Sequence, residues 1–151
     1  MSEKPNSPKI PFSFEDLATY PLPGYALPNS LTFSNDDNTL TYLFATSDDP
    51  VQKLYAVDII TGKRRVIAEP PGGGVNEENL SPEEELRRQR ERMLAVGITH
   101  YKRQSNTERL LVPLMGDIYM QDAPDTPLRK VVDSSNTAPA LNPTMTTDGQ
   151  W

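Results

Sequence analysis

Residues 31–68, LTFSNDDNTLTYLFATSDDPVQKLYAVDIITGKRRVIA, decide the fold. They read as four strands joined by tight turns. Leu31-Thr32-Phe33-Ser34 is a short extended run, and Asn35-Asp36-Asp37-Asn38 supplies side chains that bond their own backbone in turns. In the following run, Leu40, Tyr42 and Phe44 share one face and Thr39 and Thr41 the other, a period of two. Ser47-Asp48-Asp49-Pro50 turns the chain again. Residues 53–59 are rich in Tyr, Val and Ile, which suit a pleated surface. Thr61-Gly62 then leads into a fourth strand over 63–68. The pattern predicts an antiparallel meander.

Downstream the pattern recurs. Strands are predicted over 98–104, 109–113, 117–121 and 128–132, separated by residues 105–108, Met115-Gly116 and 123–126. Leu54-Tyr55-Ala56-Val57-Asp58 is echoed by Ile118-Tyr119-Met120-Gln121-Asp122, and Phe33-Ser34-Asn35-Asp36-Asp37 by Met145-Thr146-Thr147-Asp148-Gly149. A third unit therefore starts near Ala138. Four-stranded units repeating every 40–50 residues or so are blades of a β-propeller. The expected fold is all-β: an incomplete propeller of about two antiparallel blades and the start of a third, with one inserted charged α-helix. Blade 1 spans 29–69, blade 2 spans 97–133, and the third begins over 134–151. Since closure takes about four blades, the chain reads as part of a longer protein. A small mixed β domain with sheets packed face to face is the alternative. Unmatched sheet faces predict that the isolated chain folds poorly or associates.

Residues 70–96 separate the blades. Pro70-Pro71-Gly72-Gly73-Gly74 reads as a flexible link; it lacks the Lys-Ser/Thr that completes a phosphate loop. Residues 80–101, LSPEEELRRQRERMLAVGITHY, then open on a helix signal. Ser81 and Glu84 form a capping box, and Pro82 sits where its missing N–H costs nothing. Glutamates occupy the positive end of the dipole and Arg87, Arg88, Arg90 and Arg92 follow toward the negative end. The apolar stripe is only Leu86, Met93 and Leu94, too thin to anchor a core helix. The segment is expected to carry guanidinium groups to anions or carbonyls. Gly97 ends it.

Upstream, residues 1–11 read as a disordered tail. A helical turn is expected around Phe14, Leu17 and Ala18, and Pro21, Pro23 and Pro28 force an extended lead-in up to residue 28.

Composition narrows the chemistry. A formal charge of −6 argues against nucleic acid, which wants a basic face. No cysteine is present, so disulfides and thiol catalysis are excluded. The single histidine, His100, makes a transition-metal site improbable and reads as a strand-face residue. Asp36-Asp37 and Asp48-Asp49 lack a twelve-residue calcium loop and read as turns. No Gly-x-Ser-x-Gly elbow exists, so no catalytic residue is assigned. No apolar run approaches the roughly 20 residues that span a bilayer, and no secretory segment is seen, so the expected location is cytoplasmic. No cofactor or metal is expected.

The runs LTFSNDDNTLTYLFA, LYAVDIITGKRRVI, LSPEEELRRQRERMLAVGITHY, GDIYMQD and APALNPTMTTDGQW together resemble the start of the propeller domain of dipeptidyl peptidase IV-type serine exopeptidases, within the prolyl oligopeptidase superfamily. The likeness covers about residues 12–151, and the charged helix followed by Gly-Ile-Thr is its most specific part. It implies a propeller capping an α/β-hydrolase domain that holds a Ser-Asp-His triad downstream of this chain. Such enzymes release N-terminal dipeptides with proline or alanine second, and are often homodimers. The resemblance also implies that an arginine of the helical segment reaches the substrate carbonyl between its first two residues. Arg92 is the best match, with Arg88 and Arg90 next; a guanidinium offers carbonyls a rigid fork of donors. The family's amine-binding glutamates are not carried onto Glu77-Glu78 or Glu83-Glu84. The implied partners are a peptide substrate and the hydrolase domain. A non-catalytic β-propeller-type protein-binding module is the rival reading.

Overall fold

The computed structural model describes residues 13–15, 27–46, 49–74, 85–86, 89–90, 96–140 and 142–147. Its described residues form two β sheets with very little helix. The first sheet runs in the order β1 (Asn29–Phe33), β2 (Thr39–Thr46), β3 (Asp49–Asp58), β4 (Arg64–Ala68), each antiparallel to the next. A short strand, β5 (Val96–Gly97), joins the free part of β3 in parallel. The second sheet is the meander β6 (Lys102–Arg103), β7 (Leu110–Leu114), β8 (Asp117–Gln121), β9 (Arg129–Val132). Neither sheet closes on itself.

The turns follow from their residues. Ser34 Oγ donates to Asp36 Oδ1 at 2.6 Å and accepts from the Thr39 amide, while Asp37 takes the left-handed conformation with φ 58°. The Asp36 carboxylate also accepts from the Asn38 amide and side chain. These hydrogen bonds, Ser34 foremost and Asn38 next, hold its pKa down at about 2. Asp58 Oδ1 likewise gathers the Thr61 amide and hydroxyl, and Gly62 supplies the positive φ that closes the β3–β4 turn. Met115 and Gly116 both have positive φ, as a two-residue hairpin of the primed kind requires. At the base of that hairpin, Asp117 pairs with Lys130 Nζ at 2.6 Å and accepts from Ser134. Burial pushes the Asp117 carboxyl up, but Lys130 and Ser134 outweigh it and leave it below the usual range.

The two sheets repeat each other. Phe33 pairs with Leu40 as Arg103 pairs with Leu110, and the Ser34 amide bonds the Thr39 carbonyl as the Gln104 amide bonds that of Arg109. The β3–β4 register slips between Leu54 and Tyr55, and the β8–β9 register slips between Ile118 and Tyr119. After each slip a tyrosine carries a cation from the neighbouring strand: Arg64 over Tyr55 at 5.5 Å, Lys130 over Tyr119 at 5.8 Å. The Leu54–Asp58 and Ile118–Asp122 echo is thus a structural one, and the likeness of residues 33–40 to 103–110 is a second.

The sheets pack face to face. Leu43, Leu54, Ala56, Ile67 and Ala68 of the first meet Leu110 and Val112 of the second, with Ile98 sealed between them. Full burial of such side chains contributes about 1.5–3 kcal/mol each. The face of β2 turned inward is Thr41 and Leu43, both fully buried. Alternation puts Leu40, Tyr42 and Phe44 on the outer face, where Tyr42 stacks on Tyr55 at 5.7 Å and Phe44 meets it edge-on at 6.0 Å.

Several expectations change in detail, among them that Asp49 and Pro50, read as turn residues, open β3. The strand predicted over 98–104 is split: Val96–Gly97 belongs to the first sheet, Lys102–Arg103 to the second, and residues 98–101 cross between them. The cause is local. Gly97 has φ 90°, which turns the chain off β3, and the crossing drops Ile98 into the core. His100 is therefore a half-buried crossing residue and not a strand-face one. The Pro-Gly link is also ordered at its start, as a 3-10 turn over Pro71–Gly74. Among the described residues after Ala138 there is no strand. Ala140 donates to Gly116 O at 2.7 Å, and Lys102, Gln104 and Asn106 reach carbonyls of residues 143–147. Leu17 and Ala18 lie outside the described residues; Phe14 and Glu15 are helical, with Phe14 exposed.

Candidate functional site

The charged segment is the starting point. Glu85, Leu86, Gln89 and Arg90 are helical and exposed. Leu86, on the thin apolar stripe, is half exposed, in keeping with a helix that has little to bury. Arg90 is thus presented outward, while Arg88 and Arg92 lie outside the described residues.

Both ends of the segment are seated at one place. The chain leaves β4 through Glu69 and Pro70, makes the 3-10 turn, and returns as β5 beside Val51 and Gln52. Gly74 is buried with φ 68°; a methyl group there would lie 2.6 Å from Pro70 Cγ and 2.9 Å from Val51 Cγ1. A methyl at Gly97 would lie 2.9 Å from the same Val51 Cγ1 and 2.7 Å from the Gln52 carbonyl oxygen. Those are distances that side-chain carbons do not occupy. That Gln52 oxygen also accepts the Ile98 amide at 3.0 Å. Lys53, one residue on, sits 3.4 Å from both Asp49 and Glu69, tying the start of β3 to the end of β4. The hydrogen bond to Glu69, with Asp49 assisting, holds its amine above the usual pKa.

A second polar group lies between the sheets and was not anticipated. Arg103, with 5% of its side chain exposed, donates through Nη1 to Glu108 Oε2 at 2.5 Å and through Nη2 to Thr41 Oγ1 at 3.4 Å. Its buried Nε has no hydrogen-bond partner among the described residues. Tyr101 OH lies 2.8 Å from Thr41 Oγ1 and 2.8 Å from Ser30 O, and Thr41 Oγ1 lies 2.9 Å from Thr32 O. Two hydroxyl protons serve these three contacts, so one of the three goes without a proton. The cluster joins β1, β2 and β6, and nothing in its spacing along the sequence foretold it. Gln121, fully buried, similarly joins the sheets by donating to Ile67 O and to Thr126 O.

Among the described residues, no group of three His, Cys, Asp or Glu could hold a metal ion, and no helix is long and apolar enough to cross a membrane. No known family model matches the chain.

Proposed function

We propose that this chain is the N-terminal part of the propeller domain of a dipeptidyl peptidase IV-type serine exopeptidase. In that role its charged segment carries an arginine to a peptide held by a hydrolase domain. The support is one observation: two consecutive meanders of four antiparallel strands share hairpin register, bulge position and cation–tyrosine contact, with the arginine-bearing segment between them in sequence. Repetition of that kind is how propeller blades are built. In the intact enzyme the blades gate access to the catalytic cavity, and Arg92, with Arg88 and Arg90 as neighbours, binds the substrate carbonyl. The catalytic triad lies elsewhere.

The reading frame beyond the Trp151 codon tests this. A following Gly-x-Ser-x-Gly elbow supports it, and a frame without one overturns it. In the full-length protein, Arg92→Ala should lower kcat/KM on a Gly-Pro chromogenic reporter about 10- to 100-fold, the range of a lost charged hydrogen bond. The 151-residue chain alone should release no chromophore. Exposed Leu31 and Phe33 on edge strand β1 favour the second reading, a non-catalytic propeller-type module that binds protein. A frame lacking the elbow, with a folded, partner-binding product, selects it.

A further inference from the structure

We propose that Gln104 and Asn106 form a seat that registers a third unit on the second sheet, gripping its opening segment by the main chain where that segment enters its first turn. In the first sheet β1 ends at Phe33 and the turn begins at Asn35; in the second, β6 ends at Arg103 and the turn begins at Ser105. Met145-Thr146-Thr147 repeats the spacing, with a turn beginning at Thr147. Burial alternates on the approach: Pro143 and Met145 are half-buried, while Asn142, Thr144 and Thr146 are exposed. That is the pattern of an extended segment laid on a surface.

Each turn hands a hydrogen bond to the next. Asn35 Nδ2 donates to Thr107 O at 3.3 Å, from the first turn to the second. Asn106 Nδ2 donates to Thr147 O at 3.2 Å, from the second turn to the third. Gln104, 3% exposed, joins the two contacts. Its Oε1 accepts from Thr107 Oγ1, and its Nε2 donates to the carbonyls of Thr146 at 3.5 Å and Thr147 at 3.4 Å. Lys102 Nζ adds a bond to Pro143 O at 2.9 Å. A path of hydrogen bonds thus runs from Asn35 through Thr107 and Gln104 to Thr147.

The chemistry of the seat defines what it takes. The bonds from Lys102, Gln104 and Asn106 all end on main-chain carbonyls, so they read backbone shape and register and not side-chain identity. The partner that fits is an extended segment running into a tight turn, which is how each of the two sheets begins. Position 104 decides the matter. At the equivalent place in the first sheet, Ser34 uses its hydroxyl inside its own turn, on Asp36 and the Thr39 amide. Glutamine carries a donor and an acceptor on a longer stem, so Gln104 bonds its own turn and the following one together. That the gripped segment opens a propeller blade rests on the proposed function; the grip itself does not.

NMR relaxation of the 151-residue chain tests the seat. Backbone order parameters over residues 144–147 should be about 0.85 in the unaltered chain, the rigid value. In Asn106→Ala, and further in Asn106→Ala with Gln104→Ser, they should fall below about 0.6 while those of β7 and β8 hold. Thr147→Val changes an exposed side chain and keeps the carbonyl, so the segment should stay ordered. Asn106 is exposed, and Asn106→Ala alone decides if Gln104→Ser also loosens β7. The proposal is overturned if Asn106→Ala leaves residues 144–147 as ordered as before, if it loosens β7 and β8 equally, or if Thr147→Val loosens the segment as much. A reading frame without a Gly-x-Ser-x-Gly elbow, beside an intact seat, removes the peptidase assignment and leaves the seat standing; a failed seat beside an elbow does the converse.

Discussion

Removing Glu108 should cost more stability than removing Arg103, although the two form one ion pair. Arg103 is the buried partner at 5% exposure, while Glu108 is 42% exposed at the rim. Glu108→Ala strips the acceptor from Nη1 and leaves a guanidinium between the sheets with only the long 3.4 Å contact to Thr41, its Nε already unpartnered. A stranded buried charge costs about 3–5 kcal/mol. The open rim admits water to Nη1, which brings the figure to about 2–3 kcal/mol. Arg103→Met deletes the charge with its desolvation penalty and keeps most of the stem's volume. Such replacements are neutral to stabilising in many buried pairs, and the expected cost is within about 1 kcal/mol. The double variant should then recover about 1–2 kcal/mol of what Glu108→Ala loses. Urea unfolding at low micromolar concentration, where association through exposed faces is suppressed, gives the free energies. The melting temperature of Glu108→Ala should fall by about 5–10 °C for a chain of this size. If Arg103→Met proves as damaging as Glu108→Ala, the guanidinium is a net stabiliser through Thr41, and the reasoning about its burial is wrong.

Asp36 titrates in the folded chain at about 2 against an ordinary 3.8, so its contribution is complete above about pH 4 and vanishes as pH falls toward 2. The Asn38 amide resonance, which reports the Asp36 hydrogen bond, should titrate near pH 2; a midpoint at 3.8 or higher refutes the turn geometry. Met115 holds φ 54° at the first centre of a primed turn, and Met115→Asn should stabilise by about 0.5–1 kcal/mol in urea, since asparagine tolerates that region. Leu54→Ala, fully buried where the sheets meet, should cost about 2–5 kcal/mol, and a cost under 1 kcal/mol argues against a core shared by both sheets.

The strands were legible because their signals are local. Asp-Asn turns, the Thr61-Gly62 pair and the alternation through β2 and β3 each act within a few residues, and the structure follows them closely. The crossing at 98–101 was not legible. Ile98-Thr99-His100-Tyr101 has good strand composition, and what ends β5 is the φ of Gly97 against β3, a contact with a residue 45 positions earlier. The turn over Pro71–Gly74 was hidden for the same reason: a glycine run reads as a loose linker until the side chain it must clear, Val51, is known. Arg103 and Gln121 gave no warning, since a polar residue in a strand ordinarily faces water.

The face chosen for the core carries the last step. Alternation in β2 separates Leu40, Tyr42 and Phe44 from Thr39 and Thr41, and a two-sheet sandwich should turn the more apolar set inward. The chain does the reverse. Thr41 and Leu43 face the second sheet, and the aromatic set lies on the opposite face, where Tyr42 and Tyr55 are buried while Phe33 and Val66 beside them are 55% and 40% exposed. Thr41 is tolerable inside because its hydroxyl has partners: Thr32 O on β1, Tyr101 from the crossing and Arg103 from β6. A sheet apolar on both faces leaves apolar surface on the side turned away from its partner sheet. Replacing Phe33 and Val66 with threonine should therefore raise the solubility of the isolated chain at little cost to its melting temperature. A loss of more than about 2 kcal/mol would mean that this face is already packed by the chain itself.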